Sequence, residues 1–189
     1  MQEKFNIVFG RLKELRVNEN DLCKSFWLKI LRLKDNFQDN EAWSLLTDNI
    51  EWLLIKNVIT TNDLVSWFTE EELNKHGVYS KDKVKVQNKF AIGIKNAMIE
   101  SYGLSKVILF DRAKAKCYDY TFVKGYNESD ITIKEGIAEG FHDTRIVAKG
   151  YSKVEGFDSC FIALHNTSVA RLHDKSIVIS KSNRSLVIE

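Results

Sequence analysis

The chain has 189 residues, with 28 basic and 26 acidic side chains, a net charge of +2, three cysteines and no proline. That length holds one large domain or two small ones, and the charge is balanced in both halves, 14 basic to 14 acidic over residues 1–89 and 14 to 12 over 90–189. The balance argues against a nucleic-acid binder that works by bulk electrostatics, and three cysteines without CxxC spacing (Cys23, Cys117, Cys160) argue against a disulfide framework and for a reducing, cytoplasmic setting.

The segment MQEKFNIVFGRLKEL has an early acid and no long apolar core, so it does not read as a signal peptide. No apolar run reaches the ~18 residues of a bilayer span, so no membrane partner is expected. Phe5, Val8, Phe9, Leu12 and Leu15 recur at helical spacing and predict a first helix. Asp21 is placed to cap a second helix through Leu22, Phe26, Ile30 and Leu33. A third, introduced by Asn40, carries Ala42, Trp43, Leu46, Ile50, Leu53 and Leu54 on a wide apolar face. Thr61 or Asn62 opens a short helix with Leu64, Val65 and Phe68. Thr69-Glu70-Glu71-Glu72 then matches a capping box, and Gly77 stands where a left-handed C-cap belongs.

All four tryptophans lie at or before Trp67 and all six tyrosines at or after Tyr79. This shift predicts an α+β chain: a small helical domain over residues 1–77, a linker or first irregular strand over 78–89, and a different architecture over 90–189. From Phe90 onward the sequence repeats every eight residues, as in KVILFDRA, KAKCYDYT, FVKGYNES, RIVAKGYS and KVEGFDSC, with one residue lost near Gly136. A fixed short period is the mark of a solenoid. Position 2 of the octad is apolar throughout and position 4 is small or apolar, from Ala91 and Gly93 to Leu186 and Ile188. Alternation of this kind puts both positions on the inner face of a short strand. Position 6 favours the turn formers Asp and Asn, and position 8 a small residue at an inward corner.

Position 5 sets the number of octads per coil. Every second repeat gives Ile94, Phe110, Tyr126, Phe141, Phe157 and His173, and the intervening ones give Tyr102, Tyr118, Lys134, Lys149, His165 and Lys181. Like residues stack when two octads close one coil of about 16 residues, giving a two-sheet parallel β-solenoid of about six coils whose open end the helical domain is expected to cap.

The octads KAKCYDYT, FVKGYNES and KVEGFDSC resemble the VxAYDNAT-like octapeptide repeats of bacterial and phage proteins. The resemblance covers about residues 98–184. It implies a β-solenoid of bacterial or prophage origin and supplies no function and no catalytic residues.

Two candidate surfaces follow. Phe110, Tyr126, Phe141 and Phe157 form an aromatic edge, either a stacking surface for a partner or a ring ladder that stabilises the corner. Lys114, Lys116, Lys134, Arg145, Lys149 and Lys181 form a basic edge, either a contact for phosphates or a row of charge that keeps sheet edges soluble. The stacked position-6 residues Asp111, Asn127, His142, Asp158 and Asp174 read as turn caps rather than a calcium site, because the GGxGxD pattern is missing. The four histidines lack metal-ligand spacing, and Cys117 and Cys160 fall at inward positions. No nucleophile, phosphate-loop or zinc motif appears, so no cofactor, metal or catalytic residue is expected.

The function expected is a non-enzymatic macromolecule-binding protein, monomer or homodimer, whose partner is a protein or ribonucleoprotein, with RNA contact open. Its most concrete form is a phage or mobile-element inhibitor of a bacterial defence nuclease, such as a CRISPR effector, that acts on the enzyme or its guide RNA. The alternative is a structural or polymer-forming spacer.

Overall fold

A computed structural model describes residues 1–15 and 24–188. The expected helix cap at Asp21, with Leu22 and Cys23, lies outside these residues. The protein is α+β, with six α-helices among the described residues followed by fifteen strands in two parallel sheets that wind as a β-solenoid of about 16 residues per coil. It divides into two compact units, Met1–Thr69 and Glu70–Glu189.

In the first unit, helix α1 (Gln2–Glu14) buries Phe5 and Leu12, and α2 (Lys24–Asp35) buries Phe26, Ile30 and Leu33, the stripe that the helical spacing predicts. The expected third helix is two: α3 (Asp39–Asp48) and α4 (Ile50–Ile55). Asn49 separates them. Its side-chain amide donates to the Leu45 carbonyl at 2.8 Å and its backbone leaves the helical region (φ −119°). An Asn side chain that competes for backbone groups breaks a helix in this way. Helix α5 (Thr61–Trp67) begins one residue after its cap, Thr60, whose hydroxyl accepts from the Asp63 N–H at 3.0 Å while Asp63 accepts from the Thr60 N–H at 2.8 Å. Asp63 also receives Arg11 at 2.7 and 3.2 Å, and Arg11 donates to the Val58 carbonyl, tying α1 to the start of α5. Trp43 packs on Phe68 with ring centroids 4.3 Å apart.

The second unit opens with α6 (Glu70–Lys75), closed by Gly77 at φ +75° as the C-cap reading expects. Residues 78–89, read as a linker or irregular strand, form two regular strands, β1 (Val78–Tyr79) and β2 (Lys83–Gln87). They lengthen the solenoid from the six coils expected to about seven. Odd-numbered strands from β1 to β15 (Leu186–Ile188) make sheet A, and even-numbered strands from β2 to β14 (Ile177–Lys181) make sheet B.

The register is that of the octad. Val107 stands beside Val123, Val123 beside Ala138, and Ala138 beside Val154 in sheet A, while Ala115, Ile131, Ile146 and Ile162 line up in sheet B. These position-2 residues and the position-4 residues fill a thin continuous core. At three successive rungs of sheet A that core has room for little more than glycine at position 4: a Cβ on Gly125, Gly140 or Gly156 would stand 2.8 Å from the Cδ1 of Ile131, Ile146 or Ile162. The isoleucines of sheet B therefore reach across the coil into space left by the glycines of sheet A.

The register slips once. Ile162 pairs with Val178 but Ala163 pairs with Ser180, so Ile179 is an extra, bulged residue. The next strand then pairs Val169 with Leu186 and Ala170 with Val187. Leu186 and Ile188 therefore occupy positions 1 and 3, not the inward positions 2 and 4 expected, and Ser185 takes the buried corner position.

Candidate binding surfaces

The corners are built by position 6. Lys95, Asp111, Asn127, His142, Asp158 and Asp174 all adopt left-handed backbone, φ +56° to +61°, between sheet A and sheet B. Asp and Asn tolerate this conformation, and their short side chains reach backbone donors. At four of the five steps the side chain of one rung caps the rung before it. Asp111 accepts from the Lys95 N–H at 3.1 Å, Asp158 from the His142 N–H at 3.0 Å and Asp174 from the Asp158 N–H at 3.3 Å. The turn-cap reading of this column holds at each of these contacts. Position 8 completes the turns on both sides: the buried hydroxyls of Thr144 at this corner and of Ser105, Thr121, Ser152 and Ser168 at the turns from sheet B to sheet A each donate to the position-5 carbonyl three residues earlier, at 2.5–2.9 Å.

Beside this corner runs the aromatic column. Phe110, Tyr126, Phe141, Phe157 and His173 stack face to face, with successive centroid distances of 4.9, 4.8, 4.8 and 4.4 Å and interplanar angles of 11° or less. The structure thus brings all four predicted aromatic residues together. Phe110 and Tyr126 are buried, whereas Phe141, Phe157 and His173 are half-exposed. The ladder is a structural spine over its first rungs and offers an open ring edge only over its last three. A shorter stack, Tyr102 on Tyr118 at 5.0 Å, marks the opposite corner.

The basic residues spread over three columns of the outer face of sheet B. Lys114 and Arg145 lie at position 1, Lys116 at position 3, and Lys134 and Lys149 at position 5. Lys181 leaves this group: the Ile179 bulge sets it opposite Leu164, at position 4, and Ser182 takes its expected place. Acids are interleaved with the cations, as where Lys114 meets Asp130 at 2.9 Å and Lys83 meets Glu100 at 2.9 Å. Between the cations lies a shallow groove of about 480 Å³ lined by Met98, Thr132, Val147, Phe161, Ala163 and Ile179. The face therefore carries an apolar patch around Val147, Phe161 and Ile179 beside a mixed, mainly cationic stretch, and Met98 is set apart from the patch by Lys114, Asp130 and Arg145. At its start, the Tyr102 hydroxyl donates to Glu100 at 2.6 Å. That bond and the Lys83 contact hold the Glu100 carboxyl down near 2, while the same bond pushes the Tyr102 phenol up to about 12.

A third surface is absent from the sequence reading. Position 7 of the turns leading from sheet B to sheet A carries Leu104, Tyr120, Tyr151 and Thr167, and the shortened turn lacks it, Gly136 taking the position-8 place of Thr121 and Ser152 in the backbone ladder. Leu104, Tyr151 and Tyr120 are 77, 76 and 75 % exposed, more than any other large hydrophobic residue described. The signal was available as apolar residues in a turn column otherwise expected to be polar.

Cys117 and Cys160 are buried small residues whose thiols are pushed up by burial to about 12 and about 11. Among the described residues, no group of three or more His, Cys, Asp or Glu is placed to hold a metal ion, and no helix is long and apolar enough to cross a membrane. The fold defines the protein as an α+β chain with a two-sheet parallel β-solenoid. Comparison with protein-family models, with curated proteins and with solved structures finds no match.

Proposed function

We propose that this is a non-enzymatic macromolecule-binding protein whose partner is another protein or a ribonucleoprotein. The observation that carries the reading is the outer face of sheet B. There an apolar patch of Val147, Phe161, Ala163 and Ile179 is flanked by the exposed cations Lys116, Lys134, Arg145 and Lys149. An apolar centre inside a polar, arginine-bearing rim is the anatomy of a protein interface. The stacked parallel strands hold the backbone that carries these side chains at fixed spacing, so little backbone ordering accompanies binding. In its most concrete form the protein is a phage or mobile-element inhibitor of a bacterial defence nuclease of the CRISPR-effector type, and the cations give it a route to the guide RNA as well as to the enzyme. The octapeptide-like repeat supports a bacterial or prophage setting in the same reading.

The test is affinity purification of the full chain from a bacterial host that carries such a nuclease, with mass spectrometry and RNA sequencing of what co-elutes. A protein or ribonucleoprotein retained by the native chain and lost from a Lys116→Glu/Arg145→Glu/Lys149→Glu variant supports the reading. Recovery of neither protein nor RNA, or recovery indifferent to the three reversals, overturns it. A ladder of oligomers in size exclusion with light scattering, and no other species bound, would instead establish a spacer or polymer-forming solenoid.

A further inference from the structure

The turn Glu135–Gly136, one residue shorter than the corresponding turns of the coils before and after it, lies between the two most exposed tyrosines. Tyr120 is one coil before it and Tyr151 one coil after. The missing residue and the missing side chain leave a notch of about 370 Å³, floored by Gly136 and Ile137, walled by the tyrosines and rimmed by Glu135 and Lys153. The bare floor is enforced by the fold. Gly136 sits at φ +103°, and a Cβ there would run into the Thr121 carbonyl oxygen and stand 3.0 Å from that of Asp119. The notch is also rigid, because the Ile137 N–H donates to the Thr121 carbonyl at 3.1 Å and the Lys153 N–H to that of Gly136 at 3.0 Å.

Exposed aromatic rings that flank a bare floor suit a ligand that presents flat apolar faces at a matching interval. The coils are about 4.8 Å apart, so the tyrosines stand about 9.6 Å apart. A polyproline II helix repeats every three residues, at about 9.3 Å. Prolines three residues apart would fall one in the notch over Gly136 and one beyond Tyr151 at the Thr167 rung, with Tyr151 between them. We infer that the Tyr120–Gly136–Tyr151 notch binds a proline-rich segment of a partner protein in the polyproline II conformation. Such segments dock in aromatic-lined grooves because little conformational entropy remains to be lost. The charge around the notch selects the flank of the ligand. Glu135 puts a carboxylate on one side of the notch and Lys153 an ammonium group on another. The Glu135 carboxylate favours a basic residue next to the prolines on its side.

This inference rests on the protein-binding reading above and gives it a second, separate contact. The probe is a fluorescein-labelled 12-residue peptide of repeating Pro-x-x-Pro with one arginine, titrated against the full chain by fluorescence anisotropy. Saturable binding is expected, at least tenfold weaker for Tyr120→Ala and Tyr151→Ala, retained by Tyr151→Phe, and unchanged by Lys116→Glu. Glu135→Gln should weaken the arginine peptide and leave its uncharged version alone. Absence of saturable binding, or binding indifferent to both tyrosines, overturns the inference. So does tyrosine-dependent binding of cellohexaose or of single-stranded RNA in place of the peptide. A chain that fails to bind the peptide but still captures a partner through Lys116 and Arg145 sinks the notch alone.

Discussion

Gly140 faces Ile146 across the coil so closely that a methyl group on Gly140 would stand 2.8 Å from Ile146 Cδ1 and 3.0 Å from Cys160 Sγ. Close packing of this kind makes the glycine column, and not only the apolar column, a determinant of the fold. Gly140→Ala should overpack the core and lower stability by about 1–3 kcal/mol. Ile146→Val, which deletes the opposing methyl, should restore part of the loss in the double variant. Urea unfolding of the four proteins measures both effects. Additive losses would show that the two residues do not compete for the same space.

Gly136 and Gly150 both have positive φ, at +103° and +62°, but only Gly136 is crowded by backbone oxygens. At Gly150 the nearest atom to an added Cβ is Glu135 Cγ at 3.4 Å. Gly150→Asn should therefore cost no more than about 1 kcal/mol, since Asn accepts left-handed backbone. Gly136→Asn should cost about 3 kcal/mol or more, because strain and a backbone clash combine. Equal unfolding midpoints for the two variants would contradict the geometry.

Asp158 has a dual role at its corner, holding left-handed backbone at φ +57° and accepting from the His142 N–H of the previous coil at 3.0 Å. Asp158→Asn should keep the backbone and part of the bond. Asp158→Ala loses both and should cost about 2–3 kcal/mol, from roughly 1–2 for left-handed backbone and 1 for the bond. Thermal unfolding that ranks Asn with Ala would show that the carboxylate, rather than the conformation, dominates.

Glu100 and Tyr102 predict a pH dependence at both ends of the scale. The Glu100 carboxyl is held near 2, below its ordinary 4.5, so its contribution to stability is complete above pH 4.5 and fades as the pH falls towards 2. The Tyr102 phenol is raised to about 12 from 10, so its contribution is complete below pH 10 and fades as the pH climbs through 12. Glu100→Gln should return the Tyr102 titration, followed by NMR of labelled tyrosine, towards 10. An unchanged midpoint would show that burial, not the 2.6 Å hydrogen bond, sets it.

The ring ladder has a buried end and an open end. Tyr126→Ala removes a ring that is 5 % exposed and stacked on both sides, and should cost about 3–5 kcal/mol. Phe157→Ala, at the half-exposed end, should cost about half as much. Chemical denaturation ranks the two, and the reverse order would contradict the burial gradient.

The sequence alone determined the octad, its pairing into coils of about 16 residues, the two-sheet solenoid and the stripes of α1 and α2. All of these depend on periodicity, and a parallel in-register stack repeats its environment every coil, so identity at a column reports position in space. The ring ladder and the aspartate caps were legible for that reason. Three features were settled only by the tertiary structure. The bulge at Ile179 left no trace in the alternating Ile177–Val178–Ile179, which suits an unbroken strand equally well, and it moved Lys181 out of its column. The pairing of small glycine in one sheet with Ile in the other depends on the distance across the coil, which periodicity does not encode. The notch at Gly136 required a lost residue, its crowded carbonyls and two tyrosines a coil away on either side to meet at one place, an arrangement that exists only once the chain has wound.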